Sequence, residues 1–293
     1  MSSEMEWTEQ SPVLTMAELL AKSGEALAHS LGHRPGLRTG LRGLDAVMGG
    51  LEPGTLTVLA SRPGLGRSTL LQNICQWNAG GTLAGRDEER VVVPVLFASA
   101  EQSAEQIMVR ALVTAGRVSR DHVRAGQLVG EDLRRLERGR SILEATSLFV
   151  LAPGVLADGQ LVEQARRLVR EQQVRLVGVD GLDAVGPGFS LGQAARALKA
   201  LACELGVAVV ATAPLGGVSR RPHWMPALED LHDEVAFAAD TVVLVHREDA
   251  YDPTSRPSEA DLIVAKARSS RTAIAADVAF QVHYARFTDI VSA

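Results

Sequence analysis

A glycine-bearing loop between an apolar run and a helical pattern is the feature that most limits what this chain can fold into. The apolar run is GTLTVLA (Gly54–Ala60), the loop is SRPGLGRST (Ser61–Thr69), and the helical pattern continues through LLQNICQW (Leu70–Trp77). A strand, a loop and a helix in this order are typical of a phosphate-binding loop, in which backbone N–H groups and the positive end of the helix face an anion. Loops of this kind belong to α/β folds with a parallel sheet.

The loop departs from the usual pattern G-x-x-x-x-G-K-[ST] at two positions, because Ser61 replaces the first glycine and Arg67 replaces the lysine. Ser68 offers a hydroxyl to Mg²⁺, and Arg67 offers charge to the outer phosphates of ATP. A guanidinium can bind phosphate through two donors, but it is longer and planar. We therefore predict that ATP binding survives and that turnover is reduced or lost; an ordinary Gly/Pro turn is the alternative interpretation. The predicted ATP contacts are Ser61, Arg62, Pro63, Gly64, Leu65, Gly66, Arg67, Ser68 and Thr69.

Apolar runs alternate with helical patterns along the rest of the chain. Strands are predicted at Leu56–Ala60, Val92–Ala98, Leu148–Leu151, Leu176–Asp180, Ala208–Ala213, Thr241–Val245, Asp261–Lys266 and Asp277–His283. Helices are predicted at Ser68–Asn78, Ala104–Ala115, Gly130–Glu144, Asp158–Gln173 and Leu191–Leu205. The early strands are nearly continuous apolar runs, as expected of parallel strands covered on both faces, and the closely spaced last strands suggest an antiparallel extension. The pattern predicts an α/β fold with a mainly parallel, twisted sheet and helices on both faces.

The amino-terminal segment predicts a separate helix. Residues 1–14 are polar and are expected to be a disordered tail, and Thr15–Leu31 has the apolar stripe of an amphipathic helix that Thr15 can cap. Gly32–Gly40 is rich in Gly and Pro and reads as a linker. The predicted organisation is a tail (1–14), a linker helix with its linker (15–38) and one large domain (39–293).

Composition excludes several classes of protein. A net charge of −5 argues against binding nucleic acid with the whole surface, although a local basic channel remains compatible with it. The apolar runs are too short to cross a bilayer, and the acidic start does not resemble a signal peptide, so a cytoplasmic protein without membrane contacts is expected. The two cysteines, Cys75 and Cys203, have no zinc-ligand spacing.

Two carboxylates stand at the ends of predicted strands. Asp180 ends the run RLVGVD, where a carboxylate beside a phosphate-binding loop orients hydrated Mg²⁺. Glu101 follows the run VLFAS, where it would polarise the attacking water; the alternative is that it begins the next helix.

Together these motifs resemble the C-terminal motor domain of the replicative DNA helicases of the DnaB family, which has a RecA-type fold. The resemblance runs through Thr39–Thr69, Ser99–Leu128 with its words EQ-x-M-x-R and GQL, the strand LVGVDGLDAV, Ala195–Ala213, and the closing segments AADTVVLVHREDAY and IVAKARSSRT. It covers nearly the whole chain.

The resemblance implies an assembly. Members of the family form a ring of six with ATP between subunits, and the linker helix of each subunit docks on its neighbour, a role that would fall to residues 15–31. A Lys and an Arg at the end of a late strand reach the γ-phosphate of the neighbour, and Lys266 and Arg268 match that pattern. The alternatives are a helix that packs on its own domain and a solvated strand end.

The departures from the family pattern concern DNA. Pro214 replaces a polar Gln that couples nucleotide to DNA, the counterpart of the DNA-contacting loop (Asp230–Phe237) is acidic, and no counterpart of the amino-terminal domain is visible. Arg220, Arg221 and Trp224 could still bind single-stranded DNA; the alternative is a surface loop with a pinned Trp.

Three functions are compatible with these features. The first is a small, ring-forming ATPase that moves on single-stranded DNA in replication or repair. The second is a nucleotide-dependent scaffold or regulatory protein that no longer translocates. The third is a RecA-fold protein similar to RadA or KaiC.

Overall fold

The computed structural model describes residues 16–17, 37–81, 91–153, 160–186, 188–216, 224–268 and 274–290. Backbone contacts divide the chain into two units, Met1–Pro35 and Gly36–Ala293. In the first unit only Met16 and Ala17 are described, and both are helical. The rest of the predicted tail and linker helix lies outside the described residues, so the domain boundaries stay predictions.

One sheet of nine strands organises the described part of the second unit. The strands are β1 (Leu56–Ser61), β2 (Val95–Ser99), β3 (Leu148–Leu151), β4 (Leu176–Asp180), β5 (Ala208–Pro214), β6 (Thr241–His246), β7 (Glu259–Ala267), β8 (Ile274–Gln281) and β9 (Arg286–Asp289). Their order in the sheet is β3-β2-β4-β5-β1-β6-β7-β8-β9. The strands from β3 to β6 pair in parallel, and those from β6 to β9 pair antiparallel, which confirms the predicted fold class and its antiparallel extension.

The helices connect these strands. They are α1 (Arg42–Met48), α2 (Arg67–Asn78), α3 (Ala104–Gly116), α4 (Arg120–Ala125), α5 (Gly130–Glu144), α6 (Leu161–Gln172), α7 (Leu191–Leu205) and α8 (Asp233–Ala238). The sequence prediction missed the helices α1, α4 and α8, because six or seven residues are too few for a helical period to emerge. It also missed the strand β9. Strand β2 begins at Val95 and not at Val92, since Pro94 has no N–H to give to a strand ladder. None of the described helices has both the length and the hydrophobicity needed to span a bilayer.

The core has one hydrophobic layer on each face of the sheet. Alternate residues of β1 serve the two layers: Val58 belongs to the layer that packs on α6 and α7, and Leu59 belongs to the layer that packs on α1 and α2. Helix α2 buries Leu70, Leu71, Ile74 and Cys75 in the second layer. The helix that follows the phosphate-binding loop is therefore held firmly against the sheet.

Helix α2 comes close to the sheet at Gly178 in β4. A Cβ atom at this position would lie 2.5 Å from Cys75 Sγ and 3.3 Å from Leu71 Cδ1. The absence of a side chain at Gly178 lets α2 pack directly on the backbone of β4, two residues before Asp180.

We expect Gly178→Ala to destabilise the fold by about 1–3 kcal/mol, because the added methyl group overpacks the contact between α2 and β4. Urea unfolding measures the loss. In a Cys75→Ala background, which removes the Sγ atom, the cost should shrink.

Gly130→Ala is the matched control, because a Cβ atom at Gly130 meets nothing within 4 Å. It should change the free energy of unfolding by no more than about 1 kcal/mol. Equal costs of Gly178→Ala in the two backgrounds would contradict the proposed clash.

Candidate nucleotide site

The predicted phosphate-binding loop lies between the buried end of β1 and the start of α2. Gly64 and Gly66 adopt the left-handed region, with φ of 81° and 105°. A Cβ atom at Gly66 would also come within 3.0 Å of the Phe287 ring, whereas one at Gly64 would meet nothing within 4 Å. Gly64 is thus required for its backbone angles, and Gly66 is required for both angles and space.

Few backbone N–H groups of the loop have a backbone partner among the described residues. Leu65 N donates weakly to Arg62 O (3.5 Å). The first N–H group of the helix that bonds a carbonyl oxygen one turn back is that of Leu70, which donates to Gly66 O (2.9 Å). Within the described part of the chain, no backbone hydrogen bond is made by the N–H groups of Gly64, Gly66, Arg67, Ser68 and Thr69. These donors stand at the positive end of a twelve-residue helix, which is the arrangement that binds phosphate groups.

Arg67 lies back over the start of the loop. Its Nη1 donates to Ser61 O at 3.2 Å, and its Nε is buried without a hydrogen-bond partner among the described residues. Ser61 O also accepts from Leu215 N at 3.0 Å. The guanidinium is therefore at the loop, with one nitrogen bonded to the protein and a second, buried nitrogen without a partner among the described residues.

Arg62 and Trp224 belong to a different contact. Arg62 Nη1 donates to Trp224 O (2.8 Å) and Tyr251 Oη (3.2 Å), and Nη2 lies 3.8 Å from Asp230 Oδ2. The Trp224 ring stacks on Tyr251 with 5.1 Å between centroids and 11° between planes. This geometry favours the alternative of a pinned Trp. Arg220 and Arg221 lie outside the described residues, so a DNA contact here stays a prediction.

Asp180 is buried at the end of β4, where neutral donors hold both of its oxygens. Oδ1 accepts from Thr212 Oγ1 (3.1 Å), and Oδ2 accepts from Gln102 Nε2 (2.5 Å) and more weakly from Ser99 Oγ (3.4 Å). Thr212 Oγ1 in turn accepts from Gly181 N at 2.7 Å. The carboxylate is fixed at the same sheet edge as the loop, with β5 between β4 and β1.

A cavity of about 550 Å³ joins Ser68 of the loop to the segment that follows β2. Ser68, Glu101, Gln102 and Arg110 line it, together with Arg120 and Arg124. Glu101 is exposed, and its N–H donates to Ser99 Oγ at 3.3 Å. The structure thus brings two predicted site residues, Ser68 and Glu101, to one cavity.

The arginines of the cavity were not predicted as site residues. Burial lowers the pKa of Arg110, the charge of Asp180 opposes this shift, and the charge of Arg120 adds to it. Arg110 Nη1 is buried and has no hydrogen-bond partner among the described residues. Gln106, Val109, Arg110 and Val113 recur at helical spacing on the cavity face of α3, so the period was the signal that could have identified Arg110.

Lys266 and Arg268 lie at the opposite edge of the sheet. Lys266 pairs with Val242 near the start of β6, whereas the loop follows the end of β1, and β1 and β6 are parallel. Val242 is level with Val58, three residues or roughly 10 Å before Ser61, and the partner of Arg268, Asp240, bonds Leu56 N, five residues or roughly 16 Å before Ser61. These two cations are therefore remote from the loop of their own subunit.

Both cations are bonded within their own subunit. Lys266 Nζ donates to the carbonyl oxygens of Ala236 (2.7 Å) and Ala239 (2.6 Å) at the end of α8, and burial is the main cause that lowers its pKa. Arg268 Nη1 lies 2.8 Å from Asp240 Oδ1. Asp240 also bonds Lys199 and Leu56 N, so it anchors this edge of the sheet.

Comparisons with known proteins agree with this geometry. The model of the family "DnaB-like helicase C terminal domain" matches residues 36–289. The chain is 33% identical over 277 residues to the replicative DNA helicase DnaB of Leifsonia xyli subsp. xyli, covering 91% of this chain and 58% of that protein. It is 30% identical over 282 residues to the replicative DNA helicase DnaB of Pasteurella multocida, again covering 91% of this chain and 58% of that protein. The chain therefore spans less than two thirds of these relatives.

Two solved structures share the fold. The ATPase domain of G40P superimposes with a TM-score of 0.79 at 22% identity, over 94% of this chain and 99% of that one. A DnaB-like replicative helicase, solved in a study of its interactions with primase, superimposes with a TM-score of 0.77 at 22% identity, over 94% and 69% of the two chains. The fold is that of the RecA-like ATPase domains, and the chain belongs to the family of the DnaB-like helicase C-terminal domain.

Proposed function

We propose that this chain binds ATP with Mg²⁺, assembles into a ring and hydrolyses ATP while it acts on single-stranded DNA in replication or repair, with turnover limited by Arg67. The observation that carries the proposal is that, among the described residues, the N–H groups of Gly64 and of Gly66–Thr69 make no backbone hydrogen bond, at the sheet edge that also holds Asp180. The family of the chain and the names of its relatives, replicative DNA helicases, support the same function.

The proposal assigns a role to the loop and to the side chains near it. The loop N–H groups bind the phosphates, and Arg67 and Arg110 supply positive charge to them. Ser68 and Asp180 would hold hydrated Mg²⁺, which neutralises phosphate charge when it is bound. Glu101 is exposed to the cavity beside Ser68, where its carboxylate can orient a water molecule and accept its proton.

The position of Lys266 and Arg268 supports assembly. Because they stand at the sheet edge opposite the loop, the proposal assigns them to the nucleotide of another subunit. There they would stabilise the charge that develops on the γ-phosphate. We propose that residues 15–31 dock on the neighbouring subunit and hold a ring of six subunits, the number that the family resemblance implies, in this head-to-tail order.

A second function is favoured by the contact of Arg67. Its guanidinium donates a hydrogen bond to Ser61 O, so the cation that would contact the phosphates is also held by the loop backbone. Together with the pinned Trp224 and with Pro214 at the end of β5, this contact supports a nucleotide-dependent scaffold that does not translocate.

The two functions differ in the behaviour of Arg67 variants. We expect the native protein to bind a fluorescent ATP analogue in Mg²⁺, and Arg67→Ala to weaken binding by about tenfold or more, because a charge-assisted contact to phosphate is lost. Arg67→Lys should keep the affinity and raise ATP turnover, because an ammonium is compact enough to follow the transferred phosphate. Titration and phosphate release measure the two effects.

Arg167→Ala is the control, because Arg167 is an exposed residue of α6 outside the cavity lining. A native protein that binds neither ATP nor ADP would refute the proposed function. Turnover that rises with single-stranded DNA selects the motor, and turnover that appears only in Arg67→Lys selects the scaffold.

If each site is formed by two subunits, two inactive variants should restore ATP turnover when they are mixed. Glu101→Gln and Arg268→Ala should each abolish turnover, and an equal mixture should recover about a quarter of it, because a mixed site needs one intact residue from each of two subunits. If native turnover is too low to measure, the same mixture is made in the Arg67→Lys background. Native mass spectrometry verifies that mixed oligomers form; mixed oligomers without recovered turnover would contradict a role of Arg268 in trans.

A further inference from the structure

We propose that Gln102 is the positioning residue of the metal site: its amide N–H holds Asp180, and its carbonyl oxygen accepts a hydrogen bond from a water of the hydrated Mg²⁺. This inference rests on the proposed function and adds a residue that determines how strongly the divalent cation is bound.

The turn after β2 directs neighbouring side chains in opposite ways. Ser99 Oγ accepts the N–H groups of both Glu101 (3.3 Å) and Gln102 (3.2 Å), which fixes the backbone where the strand ends. Glu101 is exposed, whereas Gln102 is only 9% exposed. The same turn that presents the proposed catalytic carboxylate to solvent therefore buries the amide next to it.

The orientation of the amide follows from its partner. Gln102 Nε2 lies 2.5 Å from Asp180 Oδ2, where the amide N–H donates and the carboxyl oxygen accepts, so the amide nitrogen faces Asp180. The carbonyl oxygen Oε1 is then left buried and without a hydrogen-bond partner among the described residues. A buried acceptor in this state is unfavourable until a donor arrives.

The cavity is where that donor would arrive. Gln102 lines it together with Ser68, and its other end bonds Asp180; these are the two residues proposed to hold Mg²⁺. Water bound to a divalent cation is strongly polarised and is a good hydrogen-bond donor. Second partners of this kind fix the orientation of a metal-binding carboxylate and raise the affinity for the metal.

An unbonded amide oxygen is not sufficient by itself. Gln72 and Gln76 of α2 also have buried, unbonded Oε1 atoms, but their Nε2 atoms donate to Ile107 O (2.8 Å) and Ala111 O (3.1 Å) and tie α2 to α3. Neither lines the cavity. Gln76 is therefore a control for the loss of a buried glutamine as such.

The experiment measures binding of a fluorescent ADP analogue as a function of Mg²⁺ concentration and in EDTA. Gln102→Met removes the hydrogen-bond donor and the acceptor at similar volume. It should raise by about tenfold the Mg²⁺ concentration at which Mg²⁺ enhances binding of the ADP analogue half-maximally, and it should leave the affinity for the analogue in EDTA unchanged. Gln76→Met should alter neither value. Urea unfolding of each variant verifies the fold.

A second variant repeats the test with a different side chain. Gln102→Leu also removes the donor and the acceptor at similar volume, so it should raise the required Mg²⁺ concentration in the same way and leave binding in EDTA unchanged. This variant decides the matter if Gln102→Met does not fold.

The outcomes separate the two proposals. A native protein that binds no nucleotide refutes the proposed function. If the native protein binds, an unchanged Mg²⁺ requirement in the Gln102 variants overturns the role of Gln102 alone. An equal loss of affinity with and without Mg²⁺ overturns it too, because Gln102 would then act on the nucleotide or on Arg110 and not on the cation.

Discussion

The packing of α2 on the bare backbone of β4 is the contact on which the candidate site depends. Because Gly178 has no side chain, Cys75 and Leu71 reach the strand, and the axis of α2 is fixed relative to Asp180. A helix held in this way keeps its first-turn N–H groups at the sheet edge without help from a ligand. The loop, with its glycines in the left-handed region, therefore joins two elements that are both packed into the core.

Patterns within short stretches of the sequence predicted the features that depend on neighbouring residues alone. Strand β4 is an apolar run buried on both faces and β3 is an apolar run at the side of the sheet, so both were predicted at their observed bounds, and Asp180 and Glu101 were predicted as site residues because they end or follow such runs. The bond between Gln102 and Asp180 joins residues 78 apart and depends on the pairing of β2 with β4, which no local pattern reveals. The remoteness of Lys266 likewise needed the register of β7 on β6.

The positions of the basic residues also depend on the fold and not on local sequence. The chain carries a net −5, and the sequence suggested that any basic channel would be at Arg220, Arg221 and Trp224. The described structure instead gathers Arg110, Arg120 and Arg124 around one cavity, with Ser68 and Glu101 on its walls. Composition constrains the average potential of a protein, whereas the local potential at a site depends on which residues the fold collects.

The separation of the loop from Lys266 and Arg268 has a consequence for symmetry. Under the proposed function, a subunit receives cations at one end of its strands and offers them from the other, and the proposed head-to-tail order joins unlike surfaces of neighbouring subunits. Subunits that meet through unlike surfaces form either an open filament, with one incomplete site at its end, or a closed circle in which none is left over. Under the proposed function, closure is the condition for every subunit to be catalytically complete.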